Sequence, residues 1–170
     1  MHEVGERIVY GSQGIMEIVD IKEEVVDGST KKYYVLSEYA SSSDSQTYVP
    51  LENKRLVKSM RRLLTADEAR ALISRADTFL PIEWQEDNRI RSEKFRKIID
   101  SGDREKIIAL IKAIYINGER RRKEGKKNYL ADEGVVKRAE KMISSELSAV
   151  FDIGENEALS LLQSACGKKY

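Results

Sequence analysis

One cysteine, one histidine, one tryptophan and two prolines stand among 170 residues. The lone Cys166 excludes an intrachain disulfide framework and any cysteine-only metal cluster. His2 leaves no second imidazole for histidine-based catalysis or a His-rich metal site. The longest uncharged apolar stretch, around Ala113–Ile116, is far too short to cross a bilayer, so no membrane association is expected. The opening residues, Met1 to Glu6, do not set a basic region before an apolar one. A chain without a signal peptide, in a reduced cytoplasmic setting, is the expectation. Seven per cent aromatic, 41% hydrophobic and ten glycines describe a globular protein with enough apolar residues to build a core.

A formal net charge of +1 hides an uneven distribution. Residues 1–60 carry seven basic and ten acidic side chains, whereas residues 89–127 carry fourteen basic against six acidic. A basic block inside a neutral chain suits a polyanionic partner such as nucleic acid; a solvated helix face is the plainer reading. The run Arg120-Arg121-Arg122-Lys123, continuing to Lys127, belongs to that block and stands open between the two.

Up to about residue 60 the sequence reads as short strands. Arg7–Tyr10 ends at the turn signal Gly11-Ser12-Gln13-Gly14, and Ile15–Ile21 partly alternates apolar with polar residues. Asp27-Gly28 is a hairpin cue leading into Lys32–Leu36. Gln46–Pro50 and Arg55–Val57 complete five predicted strands, with Pro50 at a strand end or edge because it has no N–H to donate. Five short strands in this length predict a small barrel of the SH3 or Tudor type. Such a barrel alone is marginally stable, so packing against the rest of the chain is also expected.

Beyond residue 60 the pattern turns helical. Thr65-Ala66-Asp67-Glu68 is a capping box, and Pro81 ends any continuation of its helix. A second helix is predicted from about Asp87 to Ile99, with Phe95, Ile98 and Ile99 inward. Ser101-Gly102-Asp103 breaks the chain before a third helix rich in isoleucine. A fourth starts near Asp132, and Gly154 precedes a short last one. The fold class is α+β: a barrel domain at 1–60, then a compact all-α domain of about five helices at 61–170.

Catalytic constellations are poorly supplied. Gly11-Ser12-Gln13-Gly14 matches neither the P-loop nor the dinucleotide pattern. Glu23-Glu24 and Glu86-Asp87 read as solvated surface in a chain with 29 acids, and Cys166 has no histidine near it in sequence. No enzyme activity, cofactor, metal or small-molecule ligand is expected. Trp84 stands apart, between Pro81 and the arginines Arg89 and Arg91. One reading folds it back as a plug of the helical core. The other holds it at a helix N-terminus to press into a DNA minor groove while the arginines meet phosphates.

Several motifs recur together in a known family. They are Val4–Tyr10 followed by Gly14, Asp27-Gly28 leading to Tyr33–Leu36, Val49–Asn53, Trp84 with Arg89, Ser101-Gly102-Asp103 and Glu119-Arg120-Arg121. With these the chain resembles the CarD-family transcription factors, whose N-terminal module is shared with the RNA-polymerase-interacting domain of transcription-repair coupling factors. The resemblance implies a bacterial transcription regulator, located in the cytoplasm and brought to the nucleoid by polymerase. Its Tudor-like module would bind the polymerase β subunit. Its helical domain would touch promoter DNA at the upstream edge of the bubble, largely independent of sequence, with the tryptophan as a wedge that stabilises the open complex.

Carried over residue by residue, the resemblance places polymerase contact at Glu24, Val25, Tyr48 and Pro50, and DNA contact at Trp84, Asn88, Arg89, Arg91 and Lys137. It also marks departures. Family arginines align here with Glu24 and Tyr48, and the basic pair after the tryptophan is replaced by Glu86-Asp87. The alternative is a protein–protein adaptor that binds polymerase or another partner and never touches DNA.

Overall fold

The computed structural model describes residues 1–169, which divide into two compact units, one ending at Leu63 and the other beginning at Leu64. Among the described residues there are five strands and six α-helices, so the chain is α+β.

The first unit holds β1 (Arg7–Tyr10), β2 (Ile15–Val26), β3 (Ser29–Glu38), β4 (Gln46–Pro50), α1 (Lys54–Lys58) and β5 (Met60–Arg62). All pairings are antiparallel, in the order β4-β3-β2-β1-β5. The pairing leaves β4 and β5 as two edges, an open sheet where a barrel was expected. Asp27 (φ 51°) and Gly28 (φ 76°) both lie in the left-handed region, as a two-residue hairpin turn joining Val26 to Ser29 requires. One face of the sheet carries Ile8, Met16, Ile18, Tyr34, Leu36 and Val49 into a common apolar cluster with Met60.

Arg55–Val57, expected as the fifth strand, is helical instead. Asn53 accepts a hydrogen bond from the Leu56 N–H (3.1 Å) and so starts α1, which turns Leu56 and Val57 onto the apolar cluster. The fifth strand follows at Met60–Arg62, paired with β1.

In the second unit lie α2 (Ala66–Ser74), α3 (Asn88–Ser101), α4 (Arg104–Lys123), α5 (Leu130–Phe151) and α6 (Glu155–Ala165), with a 3₁₀ turn at Ala76–Thr78. The capping box closes as its spacing predicts: Thr65 Oγ1 accepts from Glu68 N (3.2 Å) and Glu68 Oε2 accepts from Thr65 N (2.8 Å). Asp87 and Asp103 cap α3 and α4, and Gly102, at φ 63°, ends α3 in the left-handed conformation that glycine adopts without strain. Phe95, Ile99, Ile107, Ile108, Ile111, Ile143, Leu147 and Leu162 form the core.

Two buried carboxylates knit these helices. Glu146 on α5 accepts two hydrogen bonds from Arg104 on α4 (2.7 and 2.6 Å) and one from Leu64 N (2.9 Å). Glu140, also on α5, accepts from Tyr115 of α4 and from Gln163 of α6 (3.2 Å). A bidentate Arg–carboxylate pair supplies the partners a buried charge needs.

Candidate functional site

Trp84 lies on an irregular strap, residues 79–87, between the 3₁₀ turn and α3. Backbone outside helices and sheets must find partners elsewhere, and here cationic side chains supply many of them. Lys112 Nζ on α4 donates to the carbonyls of Ala76 (2.8 Å), Asp77 (3.0 Å) and Phe79 (2.6 Å). Lys94 on α3 donates to Glu83 O (2.9 Å), and Arg91 Nη1 donates to Gln85 O (2.9 Å) and Glu86 O (3.2 Å). Ile82 N donates to Ala109 O (3.3 Å). Part of the basic block therefore works inside the fold, on main-chain oxygens, and is not available to a partner.

Arg91 was expected to meet phosphate, but its side chain is only 2% exposed. Its Nε donates to Asp132 Oδ1 (3.2 Å) and its Nη2 donates to Asn88 Oδ1 (2.7 Å), with Nη2 also 3.1 Å from Asp132 Oδ2 in an ion pair. The guanidinium lies between two rings, 4.7 Å from the centroid of Trp84 and 4.8 Å from that of Tyr129. The physical reason is helical spacing: Arg91, Phe95 and Ile99 lie along one buried stripe of α3. Arg91 therefore organises the strap and is corrected from a DNA contact to a positioning residue.

Trp84 itself is half-buried. Its ring meets Phe95 edge-on at 5.9 Å between centroids, while its Nε1 is buried without a hydrogen-bond partner. A hollow of about 130 Å³ lies beside it, lined by Pro81, Ile82, Ala113, Ile116, Asn117 and Arg120. Asn88 and Arg89 are exposed at the start of α3, with Asn88 Oδ1 engaged by Arg91 and Arg89 in no ion pair among the described residues. Lys137 is exposed on α5, at the border of a larger groove. Sequence reasoning missed Lys112, Tyr129 and the pairing role of Asp132. The Arg91-Phe95-Ile99 spacing was the available signal for the last of these.

In the first unit, residues directly opposite in an antiparallel pair project from the same face. Glu24 faces Lys31, Lys22 faces Tyr33, Tyr33 faces Pro50 and Val35 faces Tyr48, so Glu24, Tyr48 and Pro50 share one sheet face. Val25 alternates to the other face and is 75% exposed. Tyr33 and Tyr48 meet edge-on at 6.5 Å, with Lys22 Nζ 5.8 Å from the Tyr48 ring centroid. Beyond Tyr33 the β2–β3 ribbon continues as two strands alone, ending at the Asp27-Gly28 turn.

The unpaired outer side of β4 and the Tyr33–Tyr48 pair are features that a partner chain can pair with or pack on. Residues 2–64 match the family model of the CarD-like/TRCF RID domain, an interaction module and not a catalytic one. The match places the N-terminal unit with the CarD-like RID domains, a family description that points to interaction with RNA polymerase in transcription. The match ends where the helical unit begins, and no curated protein matches the chain.

Proposed function

We propose that this protein regulates transcription initiation by binding the polymerase β subunit through a Tudor-like first unit and promoter DNA through its helical unit. The observation that carries the proposal is the RID-domain match over residues 2–64. The sheet face bearing Glu24, Tyr48 and Pro50, together with Val25 at the ribbon, is the proposed polymerase surface. Trp84, Asn88, Arg89 and Lys137 are the proposed DNA contacts, with Trp84 bearing on distorted DNA at the upstream edge of the bubble. A side chain that fits only melted DNA favours the open complex by the difference in its contacts between the two states. A difference of about 1.4 kcal/mol shifts that equilibrium tenfold.

The test is the lifetime of open complexes with cognate polymerase, comparing the wild type with Trp84→Phe and Trp84→Ala, each first shown to be folded. A longer lifetime with wild type that shortens with the variants is the expected result. Unchanged lifetimes with intact polymerase binding would overturn the DNA arm. A second reading, an adaptor that binds polymerase and leaves DNA alone, is favoured by one observation: Trp84 packs on Phe95 and Arg91 as a core residue does. Under that reading Trp84→Ala lowers stability and leaves DNA retardation unchanged.

A further inference from the structure

The second half of α4, the loop to α5, the first turns of α5 and residues 167–169 enclose an open groove of about 1180 Å³. We propose that this groove binds an adenine nucleotide, with the base between α4 and α5 and the phosphates toward the loop that joins them. The volume lies just above the range of about 300–1,000 Å³ common for small-molecule sites. Such a ligand occupies the helical unit whether or not that unit touches DNA.

Gly118 is the first observation. It lies within α4 and on the same face as Tyr115 and Arg122, which also line the groove. Glycine inside a helix destabilises it relative to alanine, so its place there needs a reason. A Cβ on Gly118 would lie 3.2 Å from both Nδ2 and Oδ1 of Asn128, in the loop before α5. The glycine thus lets the Asn128 amide lie directly against α4 at the groove wall. Among the described residues this amide makes no hydrogen bond, so its donor and its acceptor both face the groove unpaired.

The chemistry of the lining names the ligand. An amide that offers donor and acceptor side by side matches adenine, whose N6 donates while N7 accepts. Ile114 and Val136 supply an apolar floor for the base, and Leu130, 84% exposed, an apolar flank. One turn before Gly118, Tyr115 donates to Glu140, a carboxylate that is only 6% exposed. A buried negative charge at that end repels phosphate and turns it toward the opposite end. There Lys123 and Lys127 are exposed and make no ion pair among the described residues. The 22-residue helix α5 also starts there, and its N-cap Tyr129 makes no side-chain capping bond. The N–H groups of an uncapped first turn favour an anion. The phosphates are thereby met by separate side chains and a helix start, without a glycine-rich loop.

The experiment titrates full-length protein into ATP labelled on its ribose with N-methylanthraniloyl, read by anisotropy. Unlabelled ATP, GTP and inorganic triphosphate then compete. The expected result is saturable binding, with ATP displacing the probe at concentrations about tenfold lower than GTP or triphosphate. Asn128→Ala should weaken ATP about tenfold and leave triphosphate within about twofold. Gly118→Ala should weaken ATP in the same selective way while raising the thermal midpoint, which a folding defect cannot do. Lys123→Gln/Lys127→Gln should weaken ATP and triphosphate alike, by about tenfold. Lys97→Gln/Lys106→Gln removes the same charge away from the groove and should change either by about twofold at most. Circular dichroism verifies that each variant is folded.

Absence of saturable binding to the wild type would overturn the site. So would equal displacement by ATP, GTP and triphosphate that Asn128→Ala leaves unaltered, because the groove would then sense charge alone. Equal losses in the two lysine variants would remove the phosphates from this groove. Each of these failures leaves the polymerase and DNA reading standing, since open-complex lifetimes test that separately.

Discussion

Arg91 on α3 and Asp132 on α5 form an ion pair at 3.1 Å between side chains that are 2% and 5% exposed. The pair joins the N-terminal turns of two helices, and its cation also binds the carbonyls that close the Trp84 strap. Asp132 sits in the first turn of α5, where the helix dipole favours a negative charge. Breaking a buried pair strands the surviving charge, which typically costs about 3–5 kcal/mol. Arg91 keeps three other acceptors when Asp132 is lost, so Asp132→Asn should fall at the lower end, about 3 kcal/mol. Arg91→Met should cost at least as much, because it leaves Asp132 without its partner. The double variant Arg91→Met/Asp132→Leu should be more stable than either single one. Urea unfolding read by Trp84, the sole tryptophan, checks this for the helical unit. A loss under about 1 kcal/mol for Asp132→Asn would mean that water screens the pair.

Lys112 offers a separate handle on the strap. Lys112→Met preserves the apolar stem and deletes the donors to three carbonyls. Unmade hydrogen bonds at part-buried carbonyls cost about 1–2 kcal/mol in total here, because water reaches some of them. Trp84 emission should move to the red as the strap loosens. A stability loss with unchanged emission would show that Arg91 and Lys94 hold residues 79–87 unaided.

On the first unit, packing and partner binding should separate cleanly. Leu36 is fully buried in the apolar cluster, and Leu36→Ala should cost about 3 kcal/mol. Tyr48 is 44% exposed on the face shared with Glu24 and Pro50, and Tyr48→Ala should change stability by less than about 1 kcal/mol. The same Tyr48 substitution should weaken capture of RNA polymerase about fivefold, the effect of losing roughly 1 kcal/mol of contact. Unaltered capture by both Tyr48→Ala and Glu24→Lys would move the polymerase surface off this face.

Local chemistry made much of the fold legible. The Asp27-Gly28 turn, the Thr65–Glu68 capping box and the glycine ending α3 each act within a few residues, so their spacing is visible in the chain. What escaped depends on distant partners or on short windows. Leu56-Val57 is too brief an apolar run for periodicity to separate strand from helix, and only the Asn53 cap decides it. The open edges of the sheet are set by which strands meet across the unit, which no local pattern encodes. The charge of Arg91 points to a surface role, whereas its spacing with Phe95 and Ile99 buries it. Its position one turn before Phe95 placed it inside, but Asp132 and Tyr129, the groups that make burial tolerable, lie about forty residues away.

Cys166 closes the last turn after α6 and is 5% exposed, with burial pushing its thiol up to about 12. At pH 8 the folded thiol therefore stays protonated, and thiolate is the reacting species. A disulfide reagent should therefore leave native protein almost unlabelled from pH 7 to 9 and label it fully in denaturant, giving a probe of the helical unit alone. Linkage sets the sign of the pH effect. Because the folded thiol stays protonated, the unfolded chain gains by ionising above its ordinary value of 9.0, and that contribution to stability is lost as pH rises toward about 12. The difference in stability between wild type and Cys166→Ala should accordingly shrink with rising pH, by up to about 1.4 kcal/mol per unit. Rapid labelling at pH 8 would show that α6 leaves the core far more readily than the burial of Leu162 and the Gln163–Glu140 hydrogen bond imply.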